Sequence, residues 1–121
     1  MINETKIELA GCILDKKYIT SLLVITNKYF GSSSFSIEFK DGTKLSDLSI
    51  AEFEKIDFNN RTLSSIELQC YESDYKTSQK SSLYLYKGFM NEPYVLTYSS
   101  SDNDIYLKIK ADLEGWINNI R

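Results

Sequence analysis

No histidine occurs anywhere in the 121 residues. That absence removes the commonest general base, the middle member of Ser-His-Asp and Cys-His machinery, and half of the usual ligand set of a structural zinc. Cysteine is almost as scarce. Cys12 and Cys70 are too few for a disulfide framework or a zinc cluster. Each sits among apolar neighbours, Ile13 and Leu14 for the first and Leu68 for the second, which reads as two reduced, buried thiols of a cytoplasmic protein. A Cys12–Cys70 disulfide is the competing reading. It requires the first strand to lie beside the strand that carries Cys70.

The five glycines, Gly11, Gly31, Gly42, Gly88 and Gly115, never fall at G-x-G or Walker spacing, so no phosphate-cradling loop of a known kind is present. The longest apolar run, Leu22 to Ile25, is far shorter than the roughly 20 residues of a membrane-spanning helix. Glu4 and Glu8 stand where a secretory leader would need its apolar stretch. Charge of one sign is lacking too: 14 Lys and Arg against 17 Asp and Glu give a net charge of -3 and a pI near 5.0. A nucleic-acid binder needs a concentrated basic footprint, and none is visible. The acidity also falls far short of a DNA mimic.

What is present is an ordinary globular composition, 42% hydrophobic and 26% charged, in a chain of the right length for a single domain spanning residues 1–121. Residues 5–14 begin with Ile7 and Leu9 at period two, predicting a first strand interrupted near Gly11. The period then changes. Tyr18, Leu22, Ile25 and Tyr29 fall on one side of a helix near residues 15–30, with Asp15 as cap and Gly31 as stop. The β-branched Ile19, Thr20, Val24, Ile25 and Thr26 favour strand instead, so a hairpin turning at residues 15–17 competes.

After a Gly31-Ser-Ser-Ser34 linker, Phe35, Ile37 and Phe39 alternate with Ser36, Glu38 and Lys40. This is the clearest strand, and Asp41-Gly42 predicts a two-residue type I′ turn returning through Thr43, Lys44 and Leu45. Ser49 and Glu52 form a capping box, opening a short helix near residues 50–57 with Ile50 and Phe53 inward and an end near Asn59 and Asn60. Ile66, Leu68 and Cys70 alternate with Ser65, Glu67, Gln69 and Tyr71 in a half-buried strand. The polar run from Glu72 to Ser82 reads as a loop or an extended hairpin turn. Two more strands follow, at 83–90 and 93–99, and the single Pro93 sits at a strand's first residue, where it is tolerated. Asp102 or Ser101 caps a final helix near residues 103–120. Ile105, Ile109, Leu113, Trp116 and Ile120 line its apolar side, with Lys108, Lys110, Asp112 and Glu114 opposite. Trp116 reads as a core anchor. Gly115 calls for close backbone packing or a bend. The expected fold is α+β: a mainly antiparallel sheet of four to six strands with two main helices and one short helix packed on it.

This order of elements, with the Asp41-Gly42 hairpin, the Ser49-Ile-Ala-Glu52 segment, the Ser64-Ser-Ile-Glu-Leu strand, tyrosine-rich strands and a closing helix from Ile105 to Trp116, resembles small uncharacterised bacterial α+β domains. The resemblance spans nearly the whole chain and implies a fold. It carries over no functional residue.

Carboxylate chemistry is the catalytic class that survives. Asp102 with Asp104, and Asp41, Asp47 and Glu52, are the candidate acids of a carboxylate hydrolase; a glycosidase, for one, needs two carboxylates about 5 to 10 Å apart in a cleft. Caps and turns account for the same acids more simply. Ser101-Asp-Asn-Asp104 has the alternating acids of a calcium loop without its glycine or distal glutamate, so no metal and no cofactor is expected.

Seven of the nine tyrosines lie between Tyr71 and Tyr106. Successive side chains of a strand point to opposite faces, so Tyr84 and Tyr86 share one face while Leu83 and Leu85 share the other. Tyr71, Tyr84, Tyr86 and Tyr98 are therefore the candidate protein-binding surface, because phenol rings give contact area at low entropy cost. Cross-strand tyrosines that merely stabilise a wetted sheet, or that the first helix covers, are the rival account. The functional expectation is a non-catalytic protein-interaction or assembly module with a protein partner or a second copy of itself. A small inhibitor or immunity-type protein, phage- or toxin-associated, is the alternative, and a carboxylate hydrolase the second.

Overall fold

The computed structural model describes residues 3–10, 14–58, 61–74, 76, 78–87 and 92–120. Six strands form one antiparallel sheet: β1 (Asn3–Glu8), β2 (Ser32–Phe39), β3 (Lys44–Leu45), β4 (Leu63–Asp74), β5 (Gln79–Lys87) and β6 (Tyr94–Ser100). They lie in the order β1-β6-β5-β4-β2-β3. Helices α1 (Lys16–Tyr29), α2 (Ile50–Lys55) and α3 (Asn103–Ile120) all pack on one side. The α+β class, the two long helices and the short one agree with the pattern read from the sequence.

One face of the sheet is the core. Phe35, Ile37 and Phe39 of β2, Ile66, Leu68 and Cys70 of β4, Leu83 and Leu85 of β5, and Leu96 and Tyr98 of β6 are buried in one cluster with Ile19, Leu22 and Leu23 of α1 and Ile109, Leu113, Trp116 and Ile117 of α3. At about 25 cal/mol per Å² of apolar surface removed from water, this shared burial is the main favourable contribution to the fold. Phe53 of α2 meets Phe35 edge-on at 5.2 Å and reaches Phe58, which in turn meets Phe39 at 5.3 Å. Such geometry suits the ring quadrupoles.

Region 15–30 is helical despite its β-branched residues. The Asp15 carboxylate accepts the Tyr18 N–H at 3.0 Å, and the hydroxyls of Thr20 and Thr26 turn back onto the carbonyls of Lys16 and Leu23. The buried stripe is Ile19, Leu22, Leu23 and Thr26, one position off the expected line; Tyr18, Ile25 and Tyr29 flank it half-buried. The capping box of α2 forms in full, Ser49 and Glu52 each accepting the other's backbone N–H. In α3 the Asp102 carboxylate accepts the Ile105 N–H at 2.9 Å, and the Trp116 indole N–H reaches the Tyr18 carbonyl at 2.8 Å. A Cβ on Gly115 would meet nothing within 4 Å, so close packing is not its role.

Several strand bounds differ from the expectation. Ser32–Ser34 belong to β2, because each pairs with β4, Ser32 opposite Tyr71 and Ser34 opposite Gln69. The polar Glu72–Ser82 run is mostly strand: β4 continues to Asp74, opposite Gln79, in a long hairpin with β5. The Asp41-Gly42 connection is a three-residue loop, not type I′. Gly42 N–H bonds the Phe39 carbonyl and Phe39 N–H bonds the Thr43 carbonyl, and of the pair only Gly42 has positive φ, at 92°. This is a turn closed by a glycine bulge; the Asp41 carboxylate holds it by accepting the Thr43 N–H. The expected continuations through Gly11, Asn59, Asn60 and residues 88–91 lie outside the described residues, as does Cys12.

Cys70 is buried and free. The burial raises its thiol pKa to about 11. β1 pairs with β6, and two strands separate it from β4, which carries Cys70; the Cys12–Cys70 pairing itself falls outside the described residues.

Candidate functional site

Among the described residues, the reverse face of the sheet carries no helix. Its side chains run in rows across the strands. One row is Lys6, Thr97, Tyr84, Gln69 and Ser34; the next is Glu4, Ser99, Ser82, Tyr71 and Ser32. Tyr71 is 49% exposed and Tyr84 37%. Tyr84 and Tyr86, two residues apart on β5, bring their rings to 4.6 Å between centroids. Tyr86 is half-buried and sits across from Val95, which is itself 9% exposed. The tyrosine pair thus shields a valine on a face that no helix covers.

Tyr98 does not belong to this surface. It lies opposite Leu83, on the helix-covered side, 1% exposed, with its ring 5.9 Å from that of Tyr106. Its parity with Leu96 rather than with Thr97 is the physical reason. Tyr94 is likewise structural: its hydroxyl accepts the Ile66 N–H at 3.1 Å, beyond the last paired residues of β4 and β5. Tyr106 ties α3 to β1 through the Thr5 hydroxyl.

Ser32, Ser34, Gln69, Tyr71, Ser82 and Tyr84 line an open concavity of about 450 Å³. Sequence reasoning identified the two tyrosines and missed the other four. The alternation of Gln69 against Leu68 and Cys70 was visible, but only strand register brings three serines beside it. Four carboxylates, Glu4, Glu8, Glu38 and Glu67, share this face with three ammonium groups, Lys6, Lys44 and Lys80. Among the described residues none of these seven forms an ion pair; the two ion pairs are Lys28–Asp112 and Arg61–Asp41.

Four of the five acids considered for catalysis are occupied locally. Asp102 caps α3 and accepts from the Gln79 amide at 2.6 Å. Asp41 closes its turn, and the Thr43 backbone N–H holds its carboxyl below the usual carboxylate range. Asp47 accepts from the Ser34 hydroxyl, and Glu52 serves the capping box. No group of three or more Cys, Asp or Glu side chains among the described residues is placed to hold a metal ion. No described helix is long and apolar enough to cross a membrane.

The fold is thus an open-faced two-layer α+β sandwich with an aromatic patch on its bare side. Compared with protein-family models, curated proteins and solved structures, the chain matches none.

Proposed function

We propose that this chain is a non-catalytic protein-interaction or assembly module, working in a bacterial cytoplasm, whose bare sheet face docks a protein partner on Tyr71, Tyr84 and Tyr86. The observation that carries the reading is the pair of large aromatic side chains, Tyr71 and Tyr84, standing exposed on adjacent strands where ordinary core packing gives them no role. Tyrosine is enriched among residues that dominate interface energetics, because its ring desolvates readily and its hydroxyl keeps a hydrogen bond. Four carboxylates against three ammonium groups leave the face close to neutral, so its charge permits the inhibitor or immunity-type reading without selecting it. Lys6, Lys44 and Lys80, set among four carboxylates, offer too little positive charge for a nucleic-acid strand.

The test uses the double variant Tyr84→Ser, Tyr86→Ser. Affinity for a captured partner, measured by calorimetry on purified proteins, should fall by about tenfold or more while circular dichroism is unchanged. A partner that binds both proteins equally well defeats the reading.

A further inference from the structure

The two margins of the sheet are not alike. Beyond β2 the chain covers its own edge: β3 pairs at Ile37 and Glu38, Leu48 N–H bonds the Phe35 carbonyl, and Asp47 takes the Ser34 hydroxyl. At the other margin β1 has, among the described residues, a strand neighbour on one side only, β6. Leu9 donates its N–H to Tyr94. The two backbone polar groups of a residue in an antiparallel strand point the same way, and the direction alternates along the chain. Thr5 and Ile7 therefore face β6 with Leu9, and Glu4, Lys6 and Glu8 present N–H and C=O outward. An uncovered row of this kind is a template for another strand.

Charges on an edge strand usually discourage pairing, but here their order matters. On the bare face β1 reads Glu4, Lys6, Glu8, all exposed. An inverted copy of that strand is repelled when Lys6 meets Lys6 and Glu4 meets Glu8. Shifting by two residues places each Lys6 opposite a Glu8 of the other copy, or opposite a Glu4. Centring on Ile7 gives the Glu8 register; centring on Thr5 gives the Glu4 register. The helix-covered side chooses between them. Ile7 is half-buried and lines a groove with Glu114, Ile117 and Asn118 of α3, so a second Ile7 at the two-fold axis adds apolar surface next to Ile117. Thr5 is engaged with the Tyr106 hydroxyl and offers no such contact.

We propose that β1 pairs antiparallel with β1 of a second copy of this chain about a two-fold axis at Ile7, joining the two sheets into one. Lys6 and Glu8 of each copy then exchange backbone hydrogen bonds and form two reciprocal cross-strand ion pairs, an isologous interface. The proposal is independent of any partner on the tyrosine face.

Sedimentation velocity over a concentration series into the millimolar range tests it. The wild-type chain and the Tyr84→Ser, Tyr86→Ser variant should both run as a monomer–dimer equilibrium. Lys6→Glu turns two attractive pairs into two repulsive ones and should weaken the dimer by about tenfold or more. Adding Glu8→Lys to Lys6→Glu should restore it, whereas adding Glu4→Lys should not. Glu4, Lys6 and Glu8 are exposed, so all three variants should keep the wild-type circular dichroism spectrum. A monomer at every concentration, a dimer indifferent to Lys6→Glu, or rescue by Glu4→Lys in place of Glu8→Lys each overturns the proposal.

Discussion

Gly115 stands inside α3 with open space where its Cβ would be. Glycine in a helix interior costs about 1 kcal/mol relative to alanine through backbone entropy and lost shielding, and nothing in the structure explains its presence. Gly115→Ala should therefore stabilise the fold by about 1 kcal/mol and raise the thermal midpoint by roughly 3–6 °C in a calorimetric scan. A lower midpoint would show that the helix needs the glycine there. One position along, Trp116 is 4% exposed with its indole N–H satisfied by Tyr18, as its place on the apolar stripe led one to expect. Individual side chains were legible wherever alternation or helical spacing assigned them to a face. Tyr98 was misassigned because composition drew attention to its phenol while its neighbours Leu96 and Ser100 carried the parity.

Among the elements, α1 and α3 hold each other through a small polar cluster. The Asp112 carboxylate accepts from the Tyr29 hydroxyl at 2.6 Å and the Lys28 ammonium at 3.1 Å. Burial, aided by the neighbouring carboxylate, raises the Tyr29 phenol to about 12, while Tyr29 and Lys28 lower Asp112 below its ordinary 3.8. The raised phenol contributes stability that is fully present below pH 10.0 and is lost as pH climbs through about 12. The lowered carboxyl works the other way, contributing above the ordinary carboxylate range and losing it as pH falls through the folded value. In urea unfolding, the stability gap between wild type and Tyr29→Phe should hold steady across neutral pH and close as pH rises past 10.0. A gap unchanged at high pH would show that the hydroxyl's bond to Asp112 contributes nothing. The same pair of helices explains why region 15–30 is not a hairpin: burial of Ile19, Leu22 and Leu23 against α3 and the sheet outweighs the few tenths of a kcal/mol by which each β-branched residue disfavours helix.

Over the whole molecule, one layer of helices covers one side of the sheet and leaves the other bare, so adjacent residues of β5 live in different solvents. Leu85 is fully buried and Tyr84 exposed. Leu85→Ala should cost about 2–5 kcal/mol through lost burial and a residual cavity, and Tyr84→Ser about 1 kcal/mol or less through its contact with Tyr86, both read from urea midpoints. Comparable losses would mean that the tyrosine face is a second core. The asymmetry also sets what assembly can look like: pairing through β1 would leave both bare faces on the same side of one extended sheet.

Periodicity along the chain was enough to assign the apolar side of β2, β4, β5 and α3, since that depends only on repeats of 2 and 3.6 residues. Boundaries slipped where polar residues continue a strand, as at Ser32–Ser34 and Glu72–Asp74, because a bare face tolerates serine and glutamate as readily as a loop does. Strand order, register and the choice of margin left open came from long-range pairing, to which local spacing is blind. Ser34, Gln69 and Tyr84 are far apart in the chain and become one row only because β4 lies between β2 and β5.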